Sequence, residues 1–161
     1  MPHHPQYGIE GQQAPEWDVA RWFNLPQGEQ GLSLRDVAHR VVYLYCFQSW
    51  CPGCHHHGFP TLLKVREQFA DDPNVVFVAI QTVFEGFDVN TFERAQEVAQ
   101  QYGLEIPFGH DPGPDGHRSL VMQRYHTAGT PWTVLIDRHG RVQFNDFRAD
   151  AAEMARMIQD A

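Results

Sequence analysis

Apolar side chains fill two stretches of the chain almost without a break and elsewhere return at helical spacing. Val41-Val42-Tyr43-Leu44-Tyr45-Cys46-Phe47 is one such stretch, and residues 75–80 are the other. A strand covered on both faces reads this way. Between them, Leu62, Leu63, Val65, Gln68 and Phe69 give an apolar face to a helix over about 52–70, with a kink expected at Pro60. Asp71-Asp72-Pro73-Asn74 is a turn. After a loop over 81–90, Phe92, Ala95, Val98, Ala99 and Tyr102 share one side of a second helix. Asn90 with Glu93 matches a capping box at its start, and Gly103 closes its end.

The flanking regions are less regular. Residues 1–15 are rich in Pro, Gln, Gly and His and are expected to form a loose arm, leaving one domain over 16–161. A short edge strand is expected near 16–23, followed by either a small strand near 31–34 or a helical turn begun by Leu32-Ser33-Leu34-Arg35-Asp36-Val37. Residues 106–108 suggest a short extended piece, residues 110–116 a turn-dense loop, and residues 116–126 a helix. Residues 131–137 and 141–147 are β-rich and separated by Arg138-His139-Gly140, a hairpin-length loop. Asp150 and Glu153 form a second capping box, ahead of a helix with Met154, Met157, Ile158 and Ala161 on one stripe. Strands that alternate with helices and end in a hairpin predict an α/β fold. Its sheet is mixed, with a parallel centre, an antiparallel edge and helices on both faces.

Composition narrows the function. The 161 residues carry a formal net charge of −8, and the cations form no cluster. Phosphate-led nucleic-acid binding needs a positive face, so no nucleic-acid partner is expected. No stretch approaches the roughly 18 apolar residues of a membrane span. The N-terminus shows neither a charged region nor an apolar one of the secretory type. A cytoplasmic location is expected if this start is native, and a periplasmic one if a leader was trimmed. Three cysteines are too few for a disulfide framework.

Two of those cysteines lie in Trp50-Cys51-Pro52-Gly53-Cys54, directly after the first buried strand. A pair at this spacing serves a metal, a haem or thiol–disulfide exchange. A structural zinc site wants four ligands; no second pair exists, and His55, His56 and His57 point about 100° apart on a helix. Cys51-Pro52-Gly53-Cys54-His55 matches the haem attachment pattern, but it sits between a buried strand and a helix. Exchange suits the position best. A cysteine at a helix N-terminus is stabilised as the thiolate, which is the nucleophile, and a second cysteine one turn on is placed to attack a mixed disulfide.

With those residues in hand, the chain resembles the thioredoxin fold, and within it the TlpA/ResA-like and redoxin branch, over roughly residues 11–161. The resemblance rests on Gly11-Gln12-Gln13-Ala14-Pro15, on Trp50-Cys51-Pro52-Gly53-Cys54, on Gly129-Thr130-Pro131, and on Leu135-Ile136-Asp137-Arg138-His139-Gly140-Arg141. It implies a thioredoxin-like sheet with an N-terminal extension and an inserted βα unit. It also implies a redox-active Cys51–Cys54 disulfide and a cis-proline at Pro131 facing it. Trp50, Pro52, Gly53, Thr130 and Pro131 would form the substrate-binding surface.

The implied activity is a thiol–disulfide oxidoreductase, expected to run as a reductase. No cofactor or metal is implied. The implied partners are a disulfide-bearing protein or small thiol and an upstream electron donor, and a monomer is expected. A peroxiredoxin-like peroxidase is an alternative, but Gln48 stands where that pattern needs Thr before Cys51. A non-catalytic module or a metal carrier is another. The chain departs from its relatives at Tyr45, where thioredoxins carry a buried Asp, and at His57, where many ResA-like proteins carry Glu. Pro60 also falls nine residues after Cys51 rather than eight. His57, three residues beyond Cys54, is a candidate acceptor for the Cys54 proton. Cys46 reads as a small buried apolar residue.

Overall fold

The computed structural model describes residues 7–161, and its centre is the apolar strand that precedes the cysteine motif. Six strands form one sheet: β1 (Arg21–Phe23), β2 (Val41–Phe47), β3 (Val75–Thr82), β4 (Phe108–Asp111), β5 (Trp132–Ile136) and β6 (Val142–Asp146). Their order is β1-β4-β3-β2-β5-β6. β2, β3 and β4 run parallel, while β5, β6 and β1 are antiparallel to their neighbours. The helices are α1 (Phe59–Gln68), α2 (Phe92–Gln101), α3 (Leu120–Tyr125) and α4 (Ala151–Asp160). No helix among the described residues is long and apolar enough to cross a membrane.

Alternation along β2 divides the core in two, because successive side chains leave a strand on opposite faces. Tyr43, Tyr45 and Phe47 pack with Leu62 and Val65 of α1, Val98 of α2, and Met154 and Ile158 of α4. Val42, Leu44 and Cys46 pack with Trp17, Val121 and Tyr125 of α3, and Trp132 of β5. All seven β2 residues are buried, which accounts for the unbroken apolar run.

The expected elements are present, with several shifted bounds. The early strand is confined to Arg21–Phe23, and residues 31–34 form no strand; a 3₁₀ turn follows at Arg35–Val37. Residues 108–111, partly assigned to a loop, are a strand because Phe108–Asp111 pairs with β3 on one side and β1 on the other. Asp111 then organises the connection to α3: its carboxylate accepts from Gly113 N (3.1 Å), Ser119 Oγ (2.6 Å) and Val121 N (2.8 Å). The cap of α2 is Thr91, whose hydroxyl accepts from Arg94 N at 3.1 Å, and not Asn90. Asp150 caps α4 as expected, accepting from Glu153 N.

The loose arm expected over 1–15 lies outside the described residues for 1–6. From Gly8 onward the chain is tied down rather than loose. Gly8 N donates to His126 O (2.9 Å), Gly11 N to Val142 O (2.8 Å) and Ala14 N to Gly140 O (2.8 Å), and Ile9 is buried. This segment lies along β6, whose free edge would otherwise present unpaired backbone groups.

The helix expected over 52–70 is interrupted. Cys54–Gly58 forms a π-helical turn, closed by Phe59 N donating to Cys54 O, and α1 begins only at Phe59. Pro60 therefore sits in the first turn of α1, where its missing N–H costs nothing. The π turn takes up the one extra residue between Cys51 and Pro60. Beneath it lies the ring of Tyr45, whose hydroxyl also donates to Cys54 O at 3.2 Å. Gly58 makes this possible: a Cβ there would fall 2.1 Å from the Tyr45 hydroxyl. Gly58→Ala should destabilise the protein by roughly 1–3 kcal/mol through overpacking. Chemical denaturation of the reduced protein measures this, and an unchanged midpoint would show that the π turn can shift away from Tyr45.

Candidate active site

β2 ends at the carboxyl edge of the parallel strands, the edge where open α/β sheets place their sites. The residues that leave it are held one by one. Gln48 Oε1 accepts from Phe84 N (3.1 Å) and Glu85 N (3.3 Å), fixing the loop after β3. Ser49 donates twice to Gln81 Oε1, from N at 2.7 Å and from Oγ at 2.6 Å. Trp50 N donates to Asn90 Oδ1 at 2.8 Å. Gln81 Nε2 donates in turn to Thr91 O (2.9 Å) and to Nδ1 of His110 (3.1 Å). His110 accepts there as the neutral ring, in keeping with burial and the nearby Arg21, which lower its pKa. Buried polar groups need partners, and these residues satisfy one another across β2, β3 and β4.

The two thiols that follow differ in their surroundings. Cys51 is half-buried, and its Sγ accepts from Cys54 N (3.2 Å) and from Thr130 Oγ1 (3.5 Å). As a thiol it donates to Thr130 O at 3.7 Å. Hydrogen bonding from the Cys54 side chain, then from the Thr130 hydroxyl and the Cys54 N–H, with His55 close by, lowers Cys51 from 9.0 to about 6; partial burial works against this. Cys54 is fully buried, and that burial together with its bond to Cys51 raises its thiol far above the ordinary range. The pair is in the dithiol form. At neutral pH one sulfur is a thiolate and the other a thiol.

The expected surroundings of the pair converge on it. The Thr130–Pro131 bond is cis, and Gly53 lies against Pro131: a Cβ on Gly53 would be 3.1 Å from Pro131 Cδ. Trp50 is 72% exposed, so it is a surface side chain and not a core aromatic. A cavity of about 400 Å³ opens beside Cys51, lined by Trp50, Pro52, His55, His56 and Arg94. Phe147, also exposed, packs edge-on to Trp132, with Gly129 beneath it. Cys46 is buried on the opposite face of β2, among the core residues, with its thiol raised by burial.

His57 is placed differently from expectation. It is exposed, and its Nε2 lies 3.0 Å from the carbonyl oxygen of Ala149, ahead of α4. No hydrogen bond joins it to Cys54. The cause is the π turn, which rotates the residues after Cys54 relative to a regular helix. Nor does Tyr45 serve as an acceptor: desolvation holds its hydroxyl well above 10.0 and therefore protonated. The histidine that does meet the site is His55, which contacts Ser49 O and Tyr102 and was singled out in the sequence only as a member of the His run. Ser49 and Gln81 carry no motif, and Asn90 carries only a capping pattern that does not point to this site. Among the described residues no group of three or more His, Cys, Asp or Glu could hold a metal ion.

Comparison with known proteins follows the same lines. The family model described as Redoxin matches residues 9–156. A crystal structure of a thioredoxin-like superfamily protein is 33% identical with a TM-score of 0.83, over 92% of this chain and 94% of that one. A thiol-disulfide isomerase from Corynebacterium glutamicum is 30% identical with a TM-score of 0.79, over 91% and 95%. The thioredoxin domain of a thiol-disulfide oxidoreductase from Bacteroides vulgatus shares the fold at 17% identity, with a TM-score of 0.70 over 94% and 96%. No curated protein matches the chain. With a fold shared along nearly its whole length with these solved structures, the chain belongs to the Redoxin family and is a thioredoxin-like thiol–disulfide oxidoreductase.

Proposed function

We propose that the chain works as a reductase of protein or small-molecule disulfides, with Cys51 as nucleophile and Cys54 as resolving thiol. The Cys51 thiolate attacks one sulfur of a substrate disulfide. That bond breaks, a Cys51–substrate disulfide forms, and the first substrate thiolate leaves and takes a proton. Cys54 then gives up its proton and attacks Cys51 Sγ. The second substrate thiolate leaves, and two electrons have passed to the substrate as the Cys51–Cys54 disulfide forms. An external dithiol donor must return them.

The observation that carries this reading is the contrast between the two sulfurs, one lowered to about 6 and one buried and raised. The direction follows from the first of these. Stabilising the thiolate stabilises the reduced pair. Within this fold a nucleophile near 7 accompanies a reductant and one near 3.5 a strong oxidant, so Cys51 stands closer to the reducing end. Substrate binding is supported by Thr130–Pro131. When Cys51 ionises it can no longer donate to Thr130 O, which is then free to accept from the backbone of an extended substrate. Trp50 and Phe147 supply exposed apolar surface around that contact.

Four outcomes test the reading. Insulin reduction with a dithiol donor should be abolished in Cys51→Ser. Cys54→Ser should accumulate a mixed disulfide with the substrate, visible by non-reducing electrophoresis; free turnover by that variant would sink the resolving role. The thiolate is the reactive form, so alkylation of Cys51 should rise as pH climbs through about 6 and be flat above it, whereas an ordinary thiol would still be rising near 9.0. A midpoint near 9.0 would remove the basis for the proposed direction. Pro131→Ala should raise KM for a protein disulfide more than for a small one, since only the former uses the Thr130 backbone.

A further inference from the structure

His55 takes no part in the exchange just described, yet it is the most firmly held polar side chain beside the dithiol. Its Nε2 lies 2.7 Å from Ser49 O, and its Nδ1 2.5 Å from the Tyr102 hydroxyl. A carbonyl oxygen only accepts, so Nε2 carries a proton and donates it. In the neutral ring Nδ1 is then an acceptor, and Tyr102 donates to it. The ring stacks at 17° to Tyr102 and 28° to Phe59, which in turn stack on each other at 4.4 Å. Tautomer and ring plane are both determined by these neighbours.

The carbonyl that His55 holds belongs to the residue two before Cys51. Gln81 takes the N–H and hydroxyl of the same serine, so every polar group of Ser49 is tied. Gln81 and Asn90 reach the turn from outside. His55 reaches it from the residue after Cys54, so its bond joins the strand side of the dithiol to the helix side. The other titratable and charged groups facing the ring are Tyr102 and Arg94 from α2, Cys51 and Cys54, and the adjacent His56. Arg94 is paired with Glu97.

Building on the reductase reading, we propose that His55 and Tyr102 are a positioning dyad that fixes the Cys51 turn and links the Cys51 thiolate to the proton on Nδ1 of His55. When Nδ1 takes a proton both ring nitrogens donate, the Ser49 bond is kept, and the Tyr102 hydroxyl turns to accept. A positive charge then stands beside Cys51 and favours its thiolate, the same sense in which His55 already acts on that sulfur. Tyr102 is what lets the charged ring persist, because a charged N–H without an acceptor loses its strongest bond. Burial raises the Tyr102 hydroxyl above 10.0, so it keeps its proton throughout.

The test compares wild type, His55→Gln and Tyr102→Phe. Gln at 55 retains a donor for Ser49 O but carries no charge. Thiolate absorbance and iodoacetamide alkylation of Cys51 are followed against pH, and the redox potential is measured against glutathione. In His55→Gln the Cys51 midpoint should rise, alkylation at pH 6 should fall by about fivefold, and the plateau rate should be kept, with the pair becoming more reducing. Tyr102→Phe should shift in the same direction by less. The proposal is overturned if neither variant moves the midpoint, or if both lower alkylation equally at every pH, as simple loosening would. If His55→Gln does not fold, Tyr102→Phe, which keeps the stacked ring, decides by the same criteria. Failure of wild type to reduce any disulfide would remove the reductase reading while leaving these titrations readable.

Discussion

Two sulfur atoms in this protein share hydrogen bonds but not a solvent. Cys51 stands at the surface, where two protein donors stabilise its anion; Cys54 lies behind it, where no charge is solvated. In the proposed reduction, that inequality of solvation is what would set Cys51 to attack and Cys54 to resolve. It requires that the chain leave a fully buried strand and reach the surface within four residues. Such a turn has many backbone polar groups and little water, so each must find a protein partner. Gln81, Asn90 and His55 supply them from three different places in the chain.

The same constraint shapes what lies under the helix. Under the helix, where a carboxylate could have accepted a proton, this chain carries a phenol that remains neutral. Tyr45 fills the space with an aromatic ring that packs on Phe47 and Phe59 at 5.9 and 4.8 Å. Its hydroxyl binds a backbone oxygen, not a sulfur. The proton of Cys54 therefore has no built-in acceptor of the carboxylate kind on this side. In the proposed resolution it must pass to the departing substrate sulfur, which gains basicity as its bond to Cys51 breaks.

Much of this was legible in the residues and some was not, for physical reasons. Val41–Phe47 could be placed because burial on both faces leaves a continuous apolar run, and Cys51 and Cys54 because a strand–helix junction has a known effect on a thiol. His110 and Asp111 looked like loop residues because they are polar and precede Pro112-Gly113. They are strand residues because Gln81 and the α3 N-terminus satisfy them from within. The capping box favours Asn90, yet Thr91 caps α2, because Asn90 Oδ1 is taken by Trp50 N, 40 residues away. His57 shares a face with Cys54 only on a regular helix, and the π turn carries it to Ala149 O instead. His55 pairs with Tyr102 across 47 residues, a relation that no local pattern encodes.

The fit between Tyr45 and Gly58 also reaches beyond this one molecule. Neither residue can change freely while the other stays, since any side chain at 58 would enter the space of the phenol. A relative that replaces the phenol with a short acid loses that bar, and with it the need for a glycine and for the inserted residue above it. Tyrosine, glycine and the displaced proline are thus physically coupled: a change at any one of the three positions alters what the other two must accommodate.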